Sequence, residues 1–364
     1  MKYKTITIYL LVCSTAFFSS GCIRKWFAKR RAVDHYVTAL SLQSAAFDED
    51  AVMELEKAIR LDHEFTLAFS MLGDLYQKLG QPEQAADSYE KACLMDPWAF
   101  SDHLNLGKVY KTLKRFTDAV RVLKRACQLQ PDHPEANYAL AVSYYELKDY
   151  EQAAFFCSRA AELTPDNDEV FTSLGDIYSK TGKNHRSIKA YKQALELQPE
   201  QPEIMTRLAS VYIQQKRFAP ARLILGKVID LDSKNHKPYV ILAYCFLLEG
   251  NIKLGLEQES RKSNNIPKAQ KHQHQALQLY NEALKYYLHA AEKKPNSHDA
   301  HNGLGVTYIM LYRANPDDTQ LAHNALESWH RSLEIKPDQP KIKSQLQRFT
   351  RELFPSRANN DLTP

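Results

Sequence analysis

From residue 32 onward, the apolar positions follow a helical spacing, and one arrangement returns every 34 residues. Each period has a Leu, then a small residue, then a Tyr four positions after the Leu. Residues three and four apart lie on one face of a helix, so each group predicts a packed stripe. The groups are Leu72, Gly73, Tyr76; Leu106, Gly107, Tyr110; Leu140, Ala141, Tyr144; Leu174, Gly175, Tyr178; and Leu208, Ala209, Tyr212.

The second half of each period predicts a second helix that packs on the first. A small residue, then Ala or Val, then a terminal residue recur in step: Ala85, Ala119, Ala153, Ser187, Ala221; Ala92, Ala126, Ala160, Ala194, Val228; and Pro97, Pro131, Pro165, Pro199, with Ser233 in the last place. Small residues allow close helix approach, and proline ends the second helix. A helical pair of this kind buries its apolar stripe only by stacking on its neighbours.

These marker positions resemble the tetratricopeptide repeat (TPR) family over residues 32–337. The resemblance implies an all-α TPR solenoid of about eight helix-turn-helix repeats, wound as a right-handed superhelix, with a C-terminal capping helix. The units are 32–65, 66–99, 100–133, 134–167, 168–201, 202–235, 236–297 and 298–337.

The regular spacing breaks in the seventh unit, where an insertion occupies about 251–276. Pro267 suits a first helical turn, so the second helix of this unit is predicted to begin early and to project beyond its neighbours. Insertions in solenoids often lie on the binding face, and tolerated decoration is the alternative. Residues 338–354 predict the capping helix, and 355–364 predict a disordered tail.

Residues 1–21 have the layout of a secretory signal peptide. Lys2 and Lys4 precede an apolar run over 5–18, which is followed by Ser19, Ser20, Gly21 and Cys22. The run is short for a helix that must cross about 30 Å of hydrocarbon. The end of this segment resembles the bacterial lipobox and implies lipidation of Cys22. It departs from the lipobox at Ser19, where the family has Leu.

Two other interpretations of the N-terminus remain open. Cys22 is an incidental residue beside a plain cleavage site, or the apolar run is an uncleaved anchor. Arg24, Lys25 and three further basic residues follow the run and outnumber the two lysines before it, which favours a cytoplasmic location for the repeats in the second case. Residues 22–31 form a basic membrane-proximal tether. This tether, with Trp26 and Phe27, either lies on anionic headgroups or is solvated.

The TPR resemblance implies a concave groove, lined by the first helix of each unit, that holds a protein or peptide. The groove slots are polar in the early units and become apolar towards the C-terminus. The predicted partner-binding residues are Tyr138, Val142, Tyr145, Ile213, Val240, Tyr244, Leu247, Leu248, Val306, Ile309 and Met310. A contiguous apolar surface predicts a partner. The alternative is that the insertion or the cap covers it.

Charge and motifs indicate no chemistry of the protein's own. The 48 basic and 43 acidic residues leave a formal net charge of +5 with no basic cluster in the repeats, so no nucleic-acid partner is expected. Cys93, Cys127, Cys157 and Cys245 are expected to be buried thiols. The histidine groups do not have metal-ligand spacing, and no catalytic motif is present. We therefore expect no enzyme activity, cofactor, metal or small-molecule substrate.

The chain thus resembles bacterial TPR lipoproteins, which include pilotins of type IV pili and adaptors that dock envelope proteases or cell-wall hydrolases. The resemblance implies a lipid-anchored, periplasm-facing scaffold of the cell envelope. Ile23 and Arg24 follow Cys22 without an Asp, which favours the outer membrane. The competing interpretation is a cytoplasmic-side adaptor on an uncleaved N-terminal anchor.

Overall fold

The structure, a computed structural model, describes residues 24–353, and every regular element in that range is an α-helix. The predicted signal peptide 1–21, Cys22 and the tail 355–364 lie outside the described residues. The described helices form eight consecutive antiparallel pairs and one final helix. The predicted all-α TPR solenoid with a C-terminal cap is therefore confirmed.

The contacts between helices divide the chain into two compact units, the first ending at Pro165 and the second beginning at Asp166. The helices of the first unit are α1 (24–44), α2 (Asp48–Leu61), α3 (Thr66–Lys78), α4 (Pro82–Met95), α5 (Phe100–Thr112), α6 (Phe116–Leu129), α7 (Pro134–Glu146) and α8 (Tyr150–Leu163). Those of the second are α9 (Asp168–Lys180), α10 (Asn184–Leu197), α11 (Pro202–Gln214), α12 (Phe218–Leu231), α13 (His236–Lys262), α14 (Ile266–Lys293), α15 (His298–Ala314), α16 (Thr319–Ile335) and α17 (Pro340–Leu353).

Short turns join the two helices of most pairs, and each contains one residue with a left-handed backbone. Gly80 and Gly182 occupy this place in two pairs, with φ of 71° and 69°. Lys114, Lys148 and Lys216 take the same conformation in three others, at φ of 57°, 64° and 58°. The lysines accept some strain there, since residues with a Cβ rarely adopt positive φ.

Small residues bring the two helices of each pair into contact. The second-helix slot filled by Ala85, Ala119, Ala153, Ser187 and Ala221 has no exposed surface. Gly175 on α9 faces the ring of Tyr191 on α10, where an added Cβ would lie 2.5 Å from Cε1. Tyr191 is 1% exposed, so the two helix backbones approach closely around a large ring.

The first helix begins earlier than the predicted first unit. Residues 24–31 are helical and continue without a break into α1, so the basic segment and the first repeat form one helix. Ala32 and Ala39, seven positions apart, are fully buried and direct this face of α1 towards α2 and α3. Lys29 lies 3.9 Å from Asp62, which ties the basic segment to the turn between α2 and α3.

The insertion in the seventh unit lengthens both helices of the pair rather than only the second. Helix α13 has 27 residues and α14 has 28, against 13 and 14 in α11 and α12. Each therefore extends about 20 Å further, at about 1.5 Å per residue. Asn265 caps α14 by accepting a hydrogen bond from the Lys268 amide at 3.2 Å.

Among the described helices, α13 is the one that is long and apolar enough to cross a membrane, judged by length and composition alone. One third of its most apolar stretch is buried. Core helices of soluble proteins and leader sequences can have the same length and composition. Among the described helices, α13 packs extensively against α14 and also contacts α12 and α15.

We predict that Gly303→Ala destabilises the second unit. A Cβ at Gly303 would lie 2.1 Å from Cε1 of Tyr287, a ring that is 3% exposed and has no space to move into. Overpacking of this kind costs about 1–3 kcal/mol, which a urea unfolding curve of the full chain will show as a lower midpoint. Gly255→Ala is the control, because no atom lies within 4 Å of its added Cβ. An equal or higher midpoint for Gly303→Ala than for Gly255→Ala would contradict the prediction.

Candidate functional site

In the first unit, the predicted groove residues Tyr138, Val142 and Tyr145 lie on α7 and are half-buried. Their spacing of four and three residues places them along one face of the helix. The ring of Tyr145 lies edge-on to that of Tyr150, with 5.5 Å between centroids. This face combines partly accessible aromatic and aliphatic surface.

In the second unit, the predicted groove residues differ in accessibility. Ile213, Leu247 and Ile309 are only 5–6% exposed, so these three side chains belong to the core and offer almost no surface to a partner. Each is the twelfth residue of its repeat, four positions after the small residue that faces the second helix. The twelfth slot therefore continues the buried stripe.

The remaining residues of this set keep accessible surface. Val240, Val306 and Met310 pack at the edge of one hydrophobic cluster, which also contains Leu247. Leu248 is half-buried on the same helix, α13. Tyr244 is 47% exposed and is the most accessible of the predicted groove residues in the described chain. We call Val240, Tyr244, Leu248, Val306 and Met310 the apolar row.

The capping helix α17 covers the far end of the apolar row. Phe349 on α17 is 3% exposed and packs with Ile309 and Trp329. A pocket of about 140 Å³ lies between α15, α16 and α17, with Val306 and Met310 in its wall. The cap therefore covers part of α15 and leaves Tyr244 on α13 exposed.

The polar residues on the first helices of the first unit form pairs between neighbouring repeats. Asp74 accepts hydrogen bonds from the hydroxyl of Tyr89 and from Nδ2 of Asn105, the latter at 3.3 Å. Ser70 Oγ donates to Asp102 at 2.9 Å, and burial raises the pKa of the Asp102 carboxyl although this bond opposes the shift. Asn105 is thus engaged with Asp74 of the preceding repeat.

The same arrangement recurs in the second unit. Asp176 accepts a hydrogen bond from Tyr191 at 2.6 Å and pairs with Arg207 of the next repeat. Burial and the neighbouring Asp176 carboxylate raise the pKa of Tyr191 above its usual range, so its hydroxyl keeps its proton and remains a donor. Sequence reasoning missed these contacts, although Asp74 and Asp176 occupy equivalent positions two residues before Tyr76 and Tyr178.

Ionisable groups do not converge on a catalytic or metal-binding arrangement within residues 24–353. No group of three or more candidate ligands lies within reach of a common ion in that range. His274 contacts Gln278 on its own helix at 3.0 Å, and His298 lies 3.2 Å from Asp299. The predicted absence of a metal, a cofactor and catalysis stays a prediction.

The four described cysteines are free thiols, and Cys157 and Cys245 are fully buried. Burial raises the pKa of the Cys157 thiol to about 12 and that of Cys245 to about 11. Burial also raises the pKa of Cys93 and Cys127 to about 12 and about 11, although both are half-buried. The protonated thiol is the favoured form at neutral pH, and the thiolate is the reactive one.

We predict that the native protein resists thiol reagents and loses stability in alkali. Each folded thiol pKa lies above the ordinary value of 9.0, so unfolding releases protons once the pH exceeds that value. The stabilising contribution is complete below about pH 9 and declines as the pH rises towards the folded pKa values. Urea midpoints from pH 7 to 10 in Cys157→Ala, relative to the parent chain, test this. An equal pH slope in both proteins would contradict it.

Comparisons with known proteins agree with the helical pairs. A family model described as the cilia and flagella-associated protein 70 C-terminal domain, a TPR domain, matches residues 31–279, about two thirds of the chain. No curated protein sequence matches the chain.

Solved structures similar to the chain are also TPR proteins. YrrB, described as a TPR protein with an unusual peptide-binding site, is 20% identical over 49% of this chain and 92% of its own, with a TM-score of 0.46. MamA from Desulfovibrio magneticus RS-1 is 18% identical over 47% and 98%, with a TM-score of 0.44. PilF of Pseudomonas aeruginosa is 18% identical over 57% and 94%, with a TM-score of 0.45. At these levels the likeness concerns the repeat fold alone.

Proposed function

The chain belongs to the tetratricopeptide repeat family, and from that premise we propose that it is a membrane-anchored, non-catalytic scaffold that binds a protein or peptide along the apolar row. The observation that carries the proposal is the surface around Tyr244. The exposed ring of Tyr244 lies one helical turn from half-buried Val240 and Leu248 on α13, and half-buried Val306 and Met310 pack with Val240 at the edge of one cluster in the second unit.

A short amphipathic helix or an apolar peptide suits this surface. Such a ligand presents side chains at spacings of three and four residues and buries them against apolar surface. Tyrosine is a frequent anchor in protein interfaces because its rigid ring buries a large area and its hydroxyl still finds a polar partner. The carboxylates of Asp74 and Asp176 are each bound by a side chain of the protein itself, Asp74 by Tyr89 and Asp176 by Arg207. The proposed ligand is therefore apolar rather than strongly charged.

We predict that Tyr244→Ser with Leu248→Ser weakens partner binding on the order of 10-fold or more, because the double change removes an exposed aromatic anchor and its aliphatic neighbour. A photo-crosslinking amino acid at Val240, one turn before Tyr244 on α13, in the full chain in native membranes, will report occupancy of the row by the mass of the crosslinked product.

The matched control for this experiment is Leu288→Ser. Leu288 lies on the second helix of the same pair and is 44% exposed, close to the 47% of Tyr244. The control should leave the crosslinked product unchanged. Equal crosslinking in the double variant and in the parent would refute the row as the binding surface.

The anchoring part of the proposal rests on the sequence that precedes the described residues. Lys2, Lys4, the apolar run over 5–18 and Ser19-Ser20-Gly21-Cys22 support processing as a lipoprotein with an acylated Cys22. The proposed location is the bacterial cell envelope, facing the periplasm, with the outer membrane favoured. The proposed setting is assembly of pilus, secretion or cell-wall machinery.

We predict that Cys22→Ala abolishes lipid attachment and leaves the leader uncleaved. Mass spectrometry of the N-terminal peptide will show diacylglyceryl-modified Cys22 in the parent chain. Cys13→Ala is the control, because Cys13 lies within the apolar run and is removed with the leader under this proposal. An intact Met1 would instead support the alternative function, a cytoplasmic-side adaptor on an uncleaved anchor, which the basic residues after the run favour.

A further inference from the structure

Helix α1 carries two apolar faces, and the repeat core covers only one of them. On the inner face, Ala32 and Ala39 are fully buried, and Tyr36 packs against Phe65 with ring centroids 5.1 Å apart. We call the second face the outer stripe; its residues are Trp26, Arg30, Val33, Val37 and Leu40. The apolar members of the stripe are 42–57% exposed.

The outer stripe is continuous along the helix. Its residues follow one another at intervals of four, three, four and three, which keeps them on one side of an α-helix over about 20 Å. The guanidinium of Arg30 lies over the ring of Trp26, 5.7 Å from its centroid. Phe27 adds a second aromatic ring beside Trp26, at 5.0 Å between centroids, and is 54% exposed.

The first two and a half turns of α1 are strongly basic. Residues 24–33 contain five basic side chains and no acidic one. Lys29 is the one basic residue of this range that contacts carboxylates, those of Asp62 and Glu64, at 3.9 and 3.8 Å. Arg24, Lys25, Arg30 and Arg31 have no acidic side chain within ion-pair distance among the described residues.

We propose that the outer stripe of α1 lies on an anionic lipid surface, with Trp26, Val33, Val37 and Leu40 at the boundary between headgroups and acyl chains. A helix with aromatic and aliphatic residues on one face and basic residues around it has the composition of an interfacial helix. Phosphate groups of anionic lipids would complement the four cations that lack a carboxylate partner.

The position of α1 in the chain favours lipid over other occupants. This inference rests on the proposed function: with Cys22 acylated, a single residue separates the lipid attachment from Arg24, a span of at most about 7 Å. A second copy of the chain is disfavoured, because a symmetric pairing of two stripes would place the charged Arg30 of each copy within an apolar contact.

The test measures which face of α1 meets the bilayer. In the full chain, Trp26→Phe and Trp98→Phe remove the two exposed indoles, and Trp329, 2% exposed, remains as an internal reference. A single new indole is then added by Val37→Trp or by Thr38→Trp. Both positions are exposed, and they point about 100° apart around the helix.

Each protein is reconstituted into vesicles of equal parts phosphatidylglycerol and phosphatidylethanolamine with brominated acyl chains. We expect quenching on the order of twofold for the indole at position 37 and little for that at position 38, because only the outer stripe reaches the acyl chains. Replacing phosphatidylglycerol by phosphatidylcholine, or adding salt, should reduce the difference.

The outcomes separate this inference from the proposed function. If the chain floats with the vesicles but positions 37 and 38 are quenched equally, or position 37 is not quenched, the inference fails while the anchor stands. If the chain does not float and Cys22 is not acylated, the proposed anchor fails. A change in the fluorescence of the indole at position 37 that grows with protein concentration, and that also occurs in vesicles without brominated lipid, would assign the stripe to a second copy. That result would overturn the inference.

Discussion

Close packing of a small residue against a large side chain holds each helical pair together. Where Gly175 faces Tyr191, and where Gly303 faces Tyr287 of the preceding pair, the absence of a Cβ brings one backbone within contact of a buried ring. Protein interiors are packed as densely as organic crystals, so such contacts leave no room for an extra methyl group. Because every pair contacts mainly its neighbours, stability in each unit accumulates from similar local contacts.

This constraint explains why so much of the fold is predictable from sequence. The small and aromatic residues must stand at fixed spacings for the helices to approach, and the spacing therefore appears as the 34-residue period. The first pair lacks those markers, since Ala32 and Ala39 replace them on α1. The charged segment before an unmarked helix predicted a tether. The helical spacing of Trp26, Arg30, Val33, Val37 and Leu40, which runs across residue 32, was the available signal that the helix begins earlier.

The candidate groove was predictable only in part, and the reason lies in how neighbouring repeats stack. Helical period places a side chain relative to its own helix, whereas burial also depends on the helix that packs beside it. Ile213, Leu247 and Ile309 are core residues. Leu247 shares a cluster with residues of its own pair and of the next one, and Ile309 packs with its own second helix and with the capping helix. Similarly, the length of α13 was missed because its extension carries no repeat marker and is recognisable only from its pairing with α14.

The polar and apolar first-helix positions differ in what a ligand must displace. The carboxylates of Asp74 and Asp176 each have a tyrosine partner from the second helix and a side-chain partner from the next repeat. An ionic ligand at either position would first have to break contacts that join two repeats, and would leave a donor or acceptor unsatisfied. Tyr244 imposes no such cost, because its exposed ring exchanges only water for the ligand. Selectivity along the first helices therefore follows from which side chains the protein has already paired with its own residues.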